Sequence, residues 1–346
     1  MRCSRRGDKM GEGVTCDQLG TAYYNMGQLD KSAEFYQKNL EISREVGNRA
    51  SIGMSLGGLG NVYKAWGRYD EALELHQQHL GIALELKDEY GEGCAHCQLG
   101  DTYHVLGMLD LALDHHLKHL DVALGNGNKN ELSRAYGNVG TVYGSMQMFE
   151  KAKEFQKKAL TIVLREGNKA YQCIVYNNIG IVYRRLGHLD KALGFHERAL
   201  DIALEVGDRV SEGGAYCNMG AVYMDTGRFD ESLGVFRKYL NTSLEIGNKR
   251  GGSSAYYNIG NVYQEMGKFE TALEFHQKYL DVVLEVGSGE SQKLAYHALA
   301  LDCVKLGLFD KAEEFHHKGY LDGENKIQPV DNSRQSKFRS NANWVV

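Results

Sequence analysis

Reading every fortieth residue from position 18 gives Gln18, Gly58, Gln98, Asn138, Asn178, Asn218, Asn258 and Ala298. Asparagine is a poor choice for the middle of a helix, so its return at a fixed spacing invites a chemical explanation. A carboxamide carries one acceptor and two donors. That is the pair needed to hold both the C=O and the N–H of an extended peptide. Arg134, Arg184 and Arg185 share the same segments, and a guanidinium makes charge-assisted, bidentate bonds to carboxylates. The recurring carboxamides Gln98, Asn138, Asn178, Asn218 and Asn258 therefore read as candidates to hold an extended peptide. The bland alternative is that the asparagines bond to a neighbouring helix and only set its stacking.

Metal and redox chemistry are weaker candidates. Cys94, Cys97, Asp101 and His104 fall on one helix face, but the four span about 15 Å. A structural zinc site needs four ligands in tight geometry, so a second helix would have to contribute. The CAHC run lies inside a helix, not at a helix N-terminus after a strand, which argues against a redox pair. No phosphate-binding Gly loop, dinucleotide fingerprint, nucleophile elbow or HExxH occurs. The expectation is a non-enzyme with no cofactor and no metal.

The elements that carry these residues repeat. Gly recurs at Gly20, Gly60, Gly100, Gly140, Gly180, Gly220 and Gly260, with Tyr three residues after each. A second Gly follows at Gly27, Gly67, Gly107, Gly187, Gly227, Gly267 and Gly307. Within the fifth unit Val175, Ile179, Val182, Tyr183 and Leu186 form a helical stripe, and Ala192, Leu193, Phe195, Leu200, Ile202, Ala203 and Val206 form a second. Gly187 is placed to end the first helix, and Asp190 to cap or charge-stabilise the next. Asp208 is placed to cap the following repeat. Gly180 and its relatives lie in mid-helix, where Gly costs roughly 1 kcal/mol against Ala. The spacing predicts a close approach of the second helix there. About eight two-helix units result, with the last one degenerate.

Composition agrees. One proline, Pro329, in 346 residues suits long unbroken helices. A net charge of −5 with both signs interspersed excludes the basic stripe of a nucleic-acid binder. No apolar run reaches membrane-helix length, and no signal peptide is visible. Seven cysteines without framework spacing read as reduced thiols, which places the chain in the cytoplasm. Residues 1–11 read as a short basic tail, 12–320 as the repeat array and 321–346 as a polar, flexible tail. A monomer is expected.

The pattern Tyr176, Ile179-Gly180, Tyr183, Ala192, Ala199 resembles the tetratricopeptide repeat (TPR) signature W-x2-L-G-x2-Y…A-x3-F…A, with Tyr for Trp. The period of forty and the missing helix-ending Pro depart from it. The finer wording, especially ALDHHLKHLDVAL at 112–124, is similar to the Pins/LGN family of G-protein signalling modulators and to tetratricopeptide repeat protein 28-like arrays. No GoLoco motif follows. The resemblance implies an all-α, right-handed superhelical solenoid whose concave face is lined by the first helix of each repeat. It implies that Asn177, Arg134, Arg184, Arg185, Tyr257 and Asn261 share that face with the recurring carboxamides, which makes an extended, acidic peptide segment of a partner protein the expected ligand. It also implies a protein-interaction scaffold or adaptor, with a spindle-orientation or cytoskeletal role as one alternative and a self-associating repeat protein as another. Asp225, Gln264 and Glu265 then add a polar and acidic stretch to that face.

Overall fold

The computed structural model describes residues 2–286 and 289–321, and every regular element among them is α-helical. The helices are α1 (Arg2–Asn25), α2 (Leu29–Val46), α3 (Arg49–Ala65), α4 (Tyr69–Leu86), α5 (Glu89–Val105), α6 (Leu109–Asn126), α7 (Lys129–Ser145) and α8 (Phe149–Glu166). They continue as α9 (Lys169–Arg185), α10 (Leu189–Val206), α11 (Arg209–Asp225), α12 (Phe229–Glu245), α13 (Lys249–Glu265), α14 (Phe269–Val286), α15 (Gly289–Lys305) and α16 (Phe309–Leu321). Odd-numbered helices are the first, or A, helix of each repeat, and even-numbered ones the second, or B, helix. The chain divides into two compact units, Met1–Asn218 and Met219–Val346. No described helix is long and apolar enough to cross a membrane.

Punctuation follows local chemistry. Each B helix from α2 to α10 ends in a left-handed residue, as at Gly207 (φ 71°), where Asp208 N–H donates to Ala203 O at 2.9 Å. Asp208 then accepts from the Val210 and Ser211 amides, both at 3.1 Å, and caps α11 as expected. Asn48, Asp88, Asn128, Asn168 and Asn248 do the same for their A helices. The B helices start differently. Gly187 and His188 close α9 through main-chain bonds to Arg184 and Tyr183. His188 is thus the N-cap residue of α10, without a side-chain cap bond, and Asp190 falls inside the first turn. Of the two roles expected for Asp190, the structure keeps only charge stabilisation of the helix start.

Two turns break the glycine rule. Lys87 (φ 54°) and Gln147 (φ 60°) hold the left-handed conformation where other repeats use Gly. A side chain there costs about 1–2 kcal/mol. Gln147→Gly is expected to raise stability by about 1 kcal/mol, read as a higher thermal midpoint; an unchanged or lower midpoint would refute the strain argument.

The mid-helix glycines have the predicted cause. In the first unit a Cβ on Gly20, Gly60, Gly100, Gly140 or Gly180 would meet Tyr36, His76, His116, Gln156 or His196 at 2.4–2.9 Å. In the second, Gly220 and Gly260 receive Phe236 and His276 at 2.5 and 2.4 Å. The B helix lays a flat side chain directly on the A-helix backbone. Alongside, Tyr183 stacks on Phe195 with centroids 5.3 Å apart, and Tyr263 stacks on Phe275 at 5.6 Å. Ala192 and Ala199 are wholly buried, so the helices approach closely over that stretch.

Residues 2–11, set aside above as a tail, form the start of α1. No proline interrupts them, and Lys38 reaches Glu12 at 2.9 Å while Lys9 pairs with Glu45, so ion pairs tie this end of α1 to α2. The polar stretch from 322 to 346 lies outside the described residues.

Candidate functional site

In the first unit the A helices of successive repeats lie side by side. His104 Nε2 on α5 reaches Ser145 Oγ on α7 at 2.8 Å, and Lys64 on α3 reaches Asp101 on α5 at 3.6 Å. Residues about forty apart are therefore neighbours on one surface. Asn138 Nδ2 donates to Cys97 Sγ at 3.4 Å, and Asn218 Nδ2 donates to Asn177 Oδ1 at 3.5 Å. Both bonds cross from one A helix to the preceding one. The stacking role, held out as the bland alternative, is thus present for these two. Each such bond uses a single N–H and leaves the carbonyl oxygen and the second N–H. Asn178 is half-buried, with no hydrogen-bond partner among the described residues.

Several expected site residues have other duties. Asn177 Oδ1 faces His196 Nδ1 at 2.9 Å, and Gln98 Oε1 faces His79 Nδ1 at 3.0 Å. Both oxygens are committed to contacts with B helices. In the second unit Asn261 Oδ1 stands 3.2 Å from His276 Nε2, and the Tyr257 ring packs on His276 and Tyr279. These positions lie one turn or less from the outward stripe, on its border with helix B. Spacing alone does not separate the two sides of such a border. Asn258 is half-buried within the second unit.

The arginines do not form one group. Arg134 sits near the start of α7, while Arg184 and Arg185 end α9. Their columns differ by ten positions, about 15 Å along a helix. Arg134 is moreover paired with Glu131 and half-buried. Arg185 is exposed and has no ion pair among the described residues.

Of the cysteine face, Cys94 and Cys97 have thiols pushed up by burial, Cys97 to about 12. That disfavours the thiolate needed for redox exchange. The four-residue set does not gather: His104 turns to Ser145, and Asp101 to Lys64. Instead, Cys97 meets His116 and His119 from α6, all three buried. These histidines lie 19 and 22 residues away on another helix. Their signal was the A-to-B offset that also joins His196 to Asn177 and Gln156 to Gly137.

The sequence model of the tetratricopeptide repeat family matches residues 15–85, 91–165, 135–205, 171–245, 211–285 and 253–320. No curated protein matches the chain. Among solved structures it is similar to the apo form of the quorum sensor NprR from B. thuringiensis, at 14% identity over 87% of each chain and a TM-score of 0.67. It is also similar to the apo form of RapI, at 13% identity, 80% of this chain, 99% of that one and a TM-score of 0.64. A Rap protein complexed with Competence and Sporulation Factor aligns at 14% identity over 92% of this chain and 98% of that one, with a TM-score of 0.61. At such identities the likeness extends to the fold alone.

Proposed function

The chain belongs to the tetratricopeptide repeat family, and from that premise we propose that the A-helix face of its first unit holds an extended, acidic segment of a partner protein. The fold is a protein-interaction scaffold, and no enzyme family is indicated. The observation that carries the proposal is Asn178. Its carboxamide is half-buried without a partner among the described residues, while Asn138 and Asn218, forty residues to either side, keep one acceptor and one donor each. An extended backbone supplies the complementary pair at each step, which gives affinity without sequence preference. The preference for acidic sequence comes from Arg185, exposed beside Arg184 at the end of α9. Arg134 is instead engaged by Glu131.

The test is capture of partner proteins from lysate of the source, comparing wild type with Asn178→Ala/Asn218→Ala/Arg185→Glu, with circular dichroism showing both folded. Losing carboxamide bonds and a charge-assisted bond, at about 1.5–3 kcal/mol for the charged contact, predicts at least a tenfold weaker capture. A captured partner whose binding site maps to an acidic, extended segment, and which the variant releases, supports the proposal. An unchanged set of partners refutes it.

A further inference from the structure

Cys97, His116 and His119 are 7%, 2% and 1% exposed, and one ligand atom of each lies within 4.8 Å of the others. The His119 proton position can be read from its neighbour. His119 Nε2 is 3.1 Å from Glu131 Oε2. A carboxylate only accepts, so Nε2 carries the proton and Nδ1 presents its lone pair. His116 Nε2 faces Asp101 Oδ1 at 3.7 Å. Nδ1 of both rings is buried without any hydrogen-bond partner.

Two unpartnered imidazole nitrogens beside a thiol, one ring bonded to a carboxylate and the other with one 3.7 Å away, match the donor set and outer shell of a transition-metal site. We propose that Cys97, His116 and His119 bind one zinc ion as three protein ligands with a water in the fourth position, with Glu131 holding the His119 ring from behind and Asp101 standing near the His116 ring. Binding exchanges the Cys97 S–H bond for an S–Zn bond and releases one proton. The Asn138 amide, 3.4 Å from Cys97 Sγ, supports the resulting thiolate. Arg134 and Lys64 add positive charge nearby and oppose a bare dication. The thiolate and the two carboxylates offset it.

The repeats contain their own control. His76 and His79 reproduce the histidine spacing one repeat earlier, but Gly57 stands where Cys97 would be, and His79 Nδ1 is taken by Gln98. The fifth repeat keeps His196 and replaces the second histidine by Ala199. Thiol and two bare imidazoles coincide in the third repeat alone among the described residues.

Chelator-stripped protein titrated with zinc, then with cobalt as its spectroscopic substitute, tests this. The expected result is one ion per chain, with the thiolate-to-cobalt charge-transfer band and the ligand-field bands of a tetrahedral site. Cys97→Ser should remove the charge-transfer band. Glu131→Gln should weaken zinc binding by about 10–100-fold. His79→Ala, in the thiol-free repeat, should leave binding intact. Absence of stoichiometric metal in the wild type, or a charge-transfer band surviving in folded Cys97→Ser, overturns the proposal. If Cys97→Ser does not fold, X-ray absorption of zinc-loaded wild type decides: one sulfur with two imidazoles supports the site, and no sulfur ligand overturns it.

Discussion

Stability is expected to fall steeply as the pH drops from 6.5 toward 4. Burial lowers the pKa of His76 from 6.5 to about 3, with Lys64 and His79 adding to it, and burial beside Arg184 lowers that of His196 to about 4. Both rings are completely buried and lie flat on glycine backbone. The sign follows from linkage. Between the folded and unfolded values the unfolded chain binds a proton that the folded chain refuses, so acid favours unfolding. The stabilising term is intact above pH 6.5, shrinks as pH falls through the unfolded value, and levels off below the folded one. At about 1.4 kcal/mol per pH unit, each histidine contributes on the order of 3–5 kcal/mol across the window. Two of them match much of a domain's total of about 5–15 kcal/mol. Thermal melts at pH 7, 6 and 5 should show the loss, and a flat profile would contradict it.

The other repeats supply the variant that isolates this effect. Phe236 fills the same position over Gly220 that His76 fills over Gly60. Neither nitrogen of His76 has a hydrogen-bond partner, so the ring pays for desolvation without compensation. His76→Phe should therefore gain about 1–2 kcal/mol at neutral pH and flatten part of the acid slope. A variant that is less stable at pH 7, or that keeps the full slope, would show that the histidine is accommodated in some other way.

A second large effect reverses a helix-propensity rule. In mid-helix, Ala is intrinsically better than Gly by about 1 kcal/mol. Gly180→Ala should nevertheless destabilise by about 1–3 kcal/mol, because its Cβ would stand 2.4 Å from His196 Cε1 and 2.6 Å from Nε2. The ring is wholly buried and bonded to Asn177, so moving away from the new methyl group would break that bond. Gly194, on the outer side of α10, has nothing within 4 Å of an added Cβ. Gly194→Ala should stabilise by about 0.5–1 kcal/mol. The opposite signs are the test, read by thermal or urea melts. Adding His196→Ala to Gly180→Ala should recover the loss through the coupling of the two sites. Equal signs at the two glycines would rule out close packing as the reason for the repeated Gly column.

The period of forty, the two stripes per repeat, the left-handed glycines and the Asn/Asp caps were all legible in the sequence. The period is a comparison of the sequence with itself, and the stripes, turns and caps each depend on residues within a few positions of one another, so local geometry fixes them. The close approach at Gly180 was legible too, because only a packed neighbour justifies a repeated mid-helix Gly. The fate of each polar group on the A helices was not. Asn177 and Asn178 are adjacent in sequence, yet one oxygen is committed to His196 and Asn218 while the other side chain has no partner among the described residues. Whether a border residue faces the next helix or the solvent depends on how two helices are rotated against each other, and summed packing sets that rotation. The same holds for Cys97. Its spacing pointed along its own helix to Cys94, Asp101 and His104, whereas the tertiary structure sets it against His116 and His119, because helices pair across the hairpin and a buried side chain answers to the helix it faces.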